Sequence, residues 1–329
     1  MRRERCVLID GYAEIEVDDL WLWSQFVDIF ELERRVVRWK DELSSERGKR
    51  WIFRGQSDSD WPLASSLERF CFQRYKTAEK RLFVEKRMMD EFVRRMSSLA
   101  ASVPEDMFDR LSLMQHYGVP TRLLDFTTSA YVALWFAAEA AKCGEKFSVW
   151  AVCVDELFQH SDCPEVVDVK TCNEAKFPCR AELIDGHTTD EILGGESVMA
   201  RRGQVLAAYP RLGNPRLNAQ SGLFLLQPKL DYPFMHDLMA CVKSEKRHWR
   251  LSELCSTHKI DDLRFDIARF SRLIKFDFQR LMRQYVLRRL KAMNIYDQTL
   301  FPDVGGVART VARMFDPEEL VDDFTEFGM

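Results

Sequence analysis

The chain has little glycine and proline, with 14 and 11 of these residues among 329. This scarcity excludes collagen-like repeats and makes long disordered stretches unexpected. The sequence also lacks any apolar run close to the roughly 20 residues that cross a bilayer. Its basic first residues lead into an acidic stretch and not into an apolar one, so no secretory signal peptide is predicted. We therefore expect no membrane partner.

A disulfide framework is also unexpected. The nine cysteines are odd in number and follow no repeated spacing. Without a signal peptide, they are expected as reduced thiols in the cytoplasm. His160, Cys163, Cys172, Cys179 and His187 lie near one another in the sequence, but no spacing matches the CxxC pair of a zinc knuckle. No metal site is therefore predicted.

Several catalytic signatures are missing. The sequence contains no HExxH, no GxxxxGK[ST], no GxGxxG and no GxSxG. These absences argue against a zinc protease, a P-loop NTPase, a Rossmann dehydrogenase and an α/β-hydrolase. The net charge of −4 does not by itself indicate a nucleic-acid partner either.

Hydrophobic residues make up 46% of the chain, which is enough for a packed core. Strand and helix patterns alternate without a regular βαβ rhythm, which favours an α+β fold with a mixed central sheet and flanking helices. Strands are predicted at 50–54, 121–126, 147–155, 204–210, 220–227 and 272–278. Helices are predicted at 16–46, 66–100, 105–117, 129–143 and 283–294.

The same patterns divide the chain into three parts. Residues 1–48 form an N-terminal helical segment, residues 49–315 the α+β domain, and residues 316–329 an acidic tail. Within the domain, residues 156–200 are polar and irregular, which predicts a long insertion.

An arginine at the end of a predicted strand is the first candidate ligand-binding residue. In Phe53-Arg54-Gly55-Gln56 the guanidinium stands beside a glycine, whose missing Cβ permits a positive φ or a close approach of a ligand. Arginine binds phosphate and carboxylate groups through paired hydrogen bonds. The alternative is a surface arginine at an ordinary turn, and the tetrapeptide alone does not decide between the two.

A dense polar run at 115–125 is the second candidate. More than half of its side chains can form hydrogen bonds, although apolar segments lie on both sides. Because buried polar groups need partners, the run predicts either a ligand site or a network that only fixes this junction. In a site, His116 would act as an acid, a base or a donor. Arg122 and Asp125 could pair.

Two further segments carry polar side chains next to apolar elements. Thr127-Thr128-Ser129 opens the apolar helix, where free N–H groups favour an anion such as a pyrophosphate. Simple N-capping explains the same residues without a ligand. The run at 216–224, from Arg216 to Phe224, places a polar patch before a short apolar strand, with Gln220 at the start of the strand, beside Gly222.

Residues 264–291 contain nine Arg or Lys residues and two Asp, with aromatic residues between them. Such a stretch can form a nucleic-acid face. An amphipathic segment with a solvated basic side explains it more simply, and this interpretation is favoured because the whole chain is not basic.

Together these segments resemble the FRG family. The Phe-Arg-Gly at 53–55 is similar to the motif that names the family, and 115–125 is similar to its Gln-His-Tyr-Gly-(Leu or Val)-Pro-Thr-Arg-Leu-Leu-Asp run. The likeness continues, in order, at 132–137, 220–224 and 300–306. The resemblance implies a bacterial or phage-associated protein, in settings typical of antiviral defence, and no settled activity.

A second resemblance, to ADP-ribosyltransferases of the arginine-serine-glutamate type, implies an activity and an ADP-ribosyltransferase-like sheet. Those enzymes have an aromatic-Arg-Gly strand, then a strand leading to Ser-Thr-Ser, and finally a glutamate-bearing strand. Arg54, residues 127–129 and Gln220 follow that order here. NAD would then be the substrate, with its phosphates on Arg54 and its nicotinamide ribose on Thr127 and Ser129.

The remaining roles in such a site are also implied by the resemblance. His116 or Asp125 would assist positioning or charge stabilisation, with Gln220 near the reacting ribose. The binding residues of the NAD pocket would be Arg54, Gly55, Gln56, Gln115, Tyr117, Thr121, Arg122, Thr127 and Ser129.

Gln220 departs from that pattern, because it stands where a catalytic glutamate is expected. A neutral amide cannot act as a general base or balance a developing positive charge. Either Asp125 supplies the carboxylate, or the pocket binds without turnover. We therefore expect an NAD-dependent ADP-ribosyltransferase or NAD hydrolase, a toxin-like effector with a protein or nucleic-acid acceptor. The alternatives are a non-catalytic nucleotide- or nucleic-acid-binding module, and a partner-binding protein in which the polar run only holds the fold.

Overall fold

The computed structural model describes residues 12–18, 51–99, 102–141, 145–154, 157, 205–208, 215–242, 247–252 and 272–315. Within these residues, eight strands form one mixed sheet: β1 (Ala13–Val17), β2 (Trp51–Gln56), β3 (Leu123–Thr127), β4 (Lys146–Cys153), β5 (Leu206–Ala208), β6 (Gly222–Leu226), β7 (Arg247–Arg250) and β8 (Leu273–Gln279). Their order across the sheet is β5-β6-β3-β2-β4-β8-β1-β7. β1 runs parallel to both of its neighbours, and the other pairs are antiparallel.

Helices flank this sheet and confirm the predicted α+β class. In the described residues they are α1 (Ser66–Cys71), α2 (Ala78–Ser98), α3 (Met107–His116), α4 (Ala130–Ala140), α5 (Pro215–Ala219), α6 (Phe234–Val242), α7 (Arg283–Ala292), α8 (Asp297–Leu300) and α9 (Val304–Arg313). A short 3₁₀ turn, Arg280–Met282, leads from β8 into α7.

The central strand β4 shows how the sheet is buried on both faces. Phe147, Val149 and Ala151 belong to the core shared with α4 and α7. Trp150 and Val152 alternate with them and belong to a second core shared with α6. Because successive side chains of a strand point to opposite faces, the continuous apolar run in the sequence indicates a strand that is covered on both sides.

The sheet opens between β2 and β3. These two strands share one paired position, Phe53 with Thr127. By contrast, β2 pairs with β4 at six positions and β3 pairs with β6 at five. The strands therefore diverge at the point where the chain carries Arg54 on one side and Asp125 on the other.

Two predicted helices are corrected by the structure. The N-terminal helix was expected to begin at residue 16, but Glu16 and Val17 lie in β1, and residues 19–50 lie outside the described part of the chain. The single helix expected at 66–100 is two helices, α1 and α2, because the side chains of Ser65 and Thr77 each cap a new helix N-terminus.

The start of α4 also differs from the prediction. Its N-cap is Ser129, whose hydroxyl accepts a hydrogen bond from Val132 N, whereas Thr127 lies in β3. The acidic tail and the predicted insertion at 156–200, apart from Leu157, lie outside the described residues.

Candidate functional site

A cavity of about 830 Å³ lies at the opening between β2 and β3. Side chains of α3, α4 and α5 and the ring of Phe301, which follows α8, complete its walls. This volume is within the range of small-molecule binding sites. The cavity brings together eight of the twelve predicted site residues: Arg54, Gly55, Gln56, Gln115, His116, Asp125, Thr127 and Gln220.

The guanidinium of Arg54 lies across the opening. Its Nη1 donates to the main-chain oxygen of Asp125 at 2.6 Å and lies 3.8 Å from the Asp125 carboxylate. Its Nε is buried and has no hydrogen-bond partner in the described structure. Burial lowers the pKa of Arg54, while the Asp125 charge opposes this change and the Arg69 charge adds to it. A partly buried cation whose buried Nε has an unused donor favours an anionic ligand.

A short relay of side chains orients the Asp125 carboxylate. The hydroxyl of Thr121, which is fully buried, donates to Gln115 Oε1. That contact fixes the amide so that Gln115 Nε2 donates to Asp125 Oδ2 at 2.8 Å. The Asp125 side chain is 61% exposed, so its other oxygen is accessible to a ligand. Thr121 therefore acts on the site through Gln115 and is not part of the cavity wall.

Arg122 does not take part in the cavity. It is buried, forms an ion pair with Glu85 of α2, and donates to the main-chain oxygens of Gln227 and Pro228. The pairing with Asp125 that the sequence suggested is therefore wrong. The role of Arg122 is to join β3, α2 and the segment after β6.

Two other predicted residues also lie outside the cavity wall. Tyr117 is exposed and its ring contacts the ring of His116, with 5.0 Å between centroids. Ser129 is used as the N-cap of α4. Thr127 does line the cavity, and its hydroxyl donates to the main-chain oxygen of Gln220 at 2.7 Å while accepting from Ser129 N. Thr127 thereby ties β3 to the turn before β6.

The amides of Gln56 and Gln220 serve mainly as links between elements. Gln56 donates to the Pro62 main-chain oxygen at 3.1 Å and accepts from Trp150 Nε1 at 2.7 Å. Gln220 Nε2 donates to the Leu300 main-chain oxygen at 3.1 Å. Gln56 therefore fixes the loop that carries Trp61, and Gln220 holds α8 against the cavity.

Sequence reasoning missed several residues of the wall. Arg69 and Arg216 line the cavity, as do three aromatic side chains, Trp61, Phe136 and Phe301. Trp61 is 55% exposed. Of these residues, Arg216, Phe136 and Phe301 lie in segments that the sequence had marked, at 216–224, 132–137 and 300–306, but none of the three was assigned to the site. Three arginines and one carboxylate, Asp125, make the lining cationic.

The described part of 264–291 does not form a continuous basic face. Lys275 is buried beside Asp277, and Arg283 is buried and donates to the Ala138 main-chain oxygen. The interleaved Phe276 and Phe278 belong to the core. These contacts favour the amphipathic interpretation for the residues that can be described.

Metal ligands do not cluster in the described residues: no group of three or more His, Cys, Asp or Glu side chains could hold an ion there. The His and Cys residues between 160 and 187 lie outside that part of the chain. In the same described residues, no helix has the length and apolar character required to cross a membrane.

The fold and the cavity define an α+β protein with a cationic, ligand-sized site at a split in its sheet. Residues 49–146, from just before β2 to the first residue of β4, match the FRG domain. That match includes the motif at 53–55 and the run at 115–125. No curated protein and no solved structure matches the chain. The likeness at 220–224 and 300–306 lies beyond the match and stays a prediction.

Proposed function

We propose that the cavity binds NAD and that the protein cleaves the bond between nicotinamide and ribose, as an NAD hydrolase or an ADP-ribosyltransferase. The position of Arg54 carries this proposal. Its guanidinium stands in the β2–β3 opening with an unpartnered buried Nε, beside Asp125 and within a cationic wall. Guanidinium groups with free donors are well suited to a pyrophosphate.

The order of the strands supports the same proposal. The three motifs that resemble those of ADP-ribosyltransferases lie on or beside β2, β3 and β6, which are neighbours in the sheet. Phe53 pairs with Thr127, and Thr127 pairs with Gly222. The resemblance requires the three motifs to meet at one site, and this register brings Arg54, Thr127 and Gln220 to one cavity.

The proposed reaction needs a group that balances positive charge. When the C–N bond breaks, its electron pair leaves with the nicotinamide nitrogen and the ribose carbon becomes an oxocarbenium ion. Water or an acceptor nucleophile then bonds to that carbon and loses a proton, which gives ADP-ribose or an ADP-ribosylated acceptor, together with nicotinamide and H⁺. Asp125 is the one carboxylate in the described wall, so it is the group assigned to charge stabilisation.

The aromatic residues of the wall suit the flat parts of the same ligand. Trp61 and Phe136 line the cavity, and stacking on aromatic side chains binds heterocycles with little base specificity. NAD carries one such heterocycle at each end of its pyrophosphate.

A non-catalytic nucleotide-binding module is the second candidate, and Gln220 favours it. This neutral amide occupies the position expected for a glutamate and is engaged with the Leu300 main-chain oxygen. In this case the cavity would hold a nucleotide without breaking a bond. The two candidates differ in the fate of the ligand, which is measurable.

The test is loss of NAD and release of nicotinamide by the purified protein, with and without a cell lysate as the source of acceptors. Asp125→Asn removes the charge but keeps an acceptor for Gln115, so we expect turnover to fall by about 100-fold or more with an unchanged melting temperature. Arg54→Gln is expected to raise KM by about tenfold or more. Arg94→Gln is the matched control, because Arg94 is an exposed arginine on α2 that contacts only Glu91 in the described residues.

The result decides between the candidates. Turnover lost in Asp125→Asn and kept in Arg94→Gln would establish cleavage at this cavity. Saturable NAD binding without turnover by the wild type, alone and with lysate, would leave the binding module. If the wild type neither binds nor consumes NAD, the proposal is wrong.

We further propose that the protein acts inside the cell as a defence effector that depletes or transfers NAD. Cys71, Cys153 and Cys241 are buried thiols outside any disulfide, and burial raises the pKa of Cys71 and, to about 11, that of Cys241. Protonated buried thiols suit a reducing compartment, where NAD is abundant. Expression in a bacterial host should lower cellular NAD and slow growth with the wild type, but not with Asp125→Asn.

A further inference from the structure

Two arginines lie over one aromatic ring at the edge of the cavity. The guanidinium carbon of Arg216, in α5, is 4.2 Å from the centroid of Phe301, and that of Arg309, in α9, is 4.1 Å from the same centroid. Arg216 and Phe301 line the cavity. Two cations on one ring repel each other, so this arrangement is stable only if the ring and nearby anions offset the repulsion.

The carboxylates of this region are already engaged elsewhere. Asp303 caps α9 by accepting from Gly306 N at 2.8 Å. Asp297 lies 2.9 Å from Arg313 Nε and 3.4 Å from Arg309 Nε. Neither forms an ion pair with Arg216 among the described residues, so the local positive charge is only partly balanced.

The guanidinium of Arg216 has no hydrogen-bond or ion-pair partner within the described part of the chain, although its main-chain oxygen accepts from Gln220 N. Burial lowers its pKa, the Arg309 charge lowers it further, and Asp303 and Asp125 partly offset both effects. Arg309 Nη2 is buried and also lacks a partner there. A half-buried guanidinium that faces a cavity with unused donors is the usual protein side of a phosphate contact.

Arg54 in β2 and Arg216 in α5 line the same cavity, and the Asp125 charge acts on both of them. We infer that Arg216, held on the ring of Phe301, is a second phosphate-binding point, so that the cavity selects ligands with a diphosphate over ligands with a single phosphate. Arg309 strengthens this point through its charge. The inference rests on the proposed nucleotide pocket and names the substrate class of that pocket as diphosphate-linked nucleotides.

The test compares the affinities of ADP and AMP by titration calorimetry. We expect the wild type to bind ADP at least tenfold more tightly than AMP. In Arg216→Gln the ratio should fall below about threefold, which corresponds to a loss of about 0.7 kcal/mol or more in discrimination. Arg216→Lys keeps the charge but not the planar donors, so its ratio should lie between the two. Arg94→Gln should keep the wild-type ratio.

The outcomes separate this inference from the proposed reaction. An unchanged ADP:AMP ratio in folded Arg216→Gln would overturn the inference, even if NAD is cleaved. If the ADP:AMP affinity ratio falls in Arg216→Gln but the wild type does not cleave NAD, the inference stands and the proposed reaction is wrong. Absence of ADP binding by the wild type would overturn the inference as well. Melting temperatures of all variants show whether a lower ADP:AMP affinity ratio reflects unfolding. If Arg216→Gln is unfolded, the comparison is made with Arg216→Lys.

Discussion

Gly55 lies where β2 comes closest to α4. A Cβ atom at this position would be 2.0 Å from the main-chain oxygen of Ala133 and 2.6 Å from the main-chain nitrogen of Ala137. Both neighbours are backbone atoms, so the helix would have to move. We expect Gly55→Ala to lower the free energy of unfolding by about 2–3 kcal/mol or more, as measured by urea denaturation.

Gly118→Ala is the matched control for that substitution. Gly118 has a φ of +81°, and a Cβ there would meet no atom within 4 Å. Gly118→Ala should therefore lower the free energy of unfolding only by the strain of an alanine in the left-handed conformation, about 1–2 kcal/mol. Equal losses in the two variants would contradict the close-packing role of Gly55. The sequence suggested that the missing Cβ of Gly55 leaves room for a ligand, whereas the distances show that it leaves room for the backbone of α4.

The residues that sequence reasoning missed were not recognisable one at a time. Arg69 stands in a short helix, and nothing in its neighbours distinguishes it from a solvated surface residue. Arg216 begins the marked polar run at 216–224, but that run did not assign it a role in the site. Only the folded chain brings them to the cavity of Arg54. The residues that were found, Arg54 and Asp125, lie in dense local motifs, where several polar side chains follow one another.

At the scale of elements, Arg122 and Glu85 connect β3 to α2. Both side chains are almost fully buried, and Arg122 also satisfies two main-chain oxygens after β6. Removing one partner leaves an unpaired buried charge, which typically costs about 3–5 kcal/mol. We expect Glu85→Gln to lower the free energy of unfolding by an amount of this order in urea denaturation.

The double variant Arg122→Met with Glu85→Leu separates the ion pair from its packing. It removes both charges, so it should be less destabilised than the sum of the single changes, in a double-mutant cycle. ADP binding should be unchanged in the double variant, because neither residue lines the cavity. A selective loss of binding with intact stability would show that Arg122 acts on the ligand, as the sequence resemblance implied.

Elements with a strong local signal were predicted well. β4 was expected at 147–155 and spans Lys146–Cys153, because its continuous apolar run has no competing pattern. The break between α1 and α2 was missed, since charged residues of high helix propensity follow Ser65 and Thr77 and obscure the caps. β1 was missed because its alternating pattern is short and its parallel partners, β7 and β8, lie more than 200 residues away in the sequence.

For the whole molecule, stability should depend on pH through Glu68. This carboxylate joins α1 to the start of α6 by accepting from Phe234 N at 2.9 Å. Burial raises its pKa to about 7, the charge of Asp237 adds to this, and the Phe234 hydrogen bond and the charges of Arg69 and Arg81 oppose it. The folded protein therefore holds a proton that the unfolded chain releases near pH 4.5.

The sign of the effect follows from proton linkage. Between about pH 4.5 and 7 the folded state binds more protons than the unfolded state, so the free energy of unfolding falls as the pH rises through this window. The loss from Glu68 is on the order of 3 kcal/mol, since one pKa unit corresponds to about 1.4 kcal/mol. Glu68→Gln carries no titrating group there, and its stability should rise relative to the wild type between pH 5 and 8.

Glu91→Gln is the control for the pH dependence between about pH 4.5 and 7, because it replaces an exposed glutamate where Glu68→Gln replaces a buried one. Glu91 is exposed, and its hydrogen bonds with Arg94 and Arg95 hold its pKa at about 2, so its contribution changes only at pH values below 4.5. The difference between wild type and Glu91→Gln should therefore be constant from pH 5 to 8. Burial also raises the pKa of Asp237, and its charge acts on Glu68, so the difference between wild type and Glu68→Gln measures Glu68 together with this coupling. A pH-independent difference between wild type and Glu68→Gln would show that Glu68 is ionised in the fold and that α1 and α6 are joined by a charge.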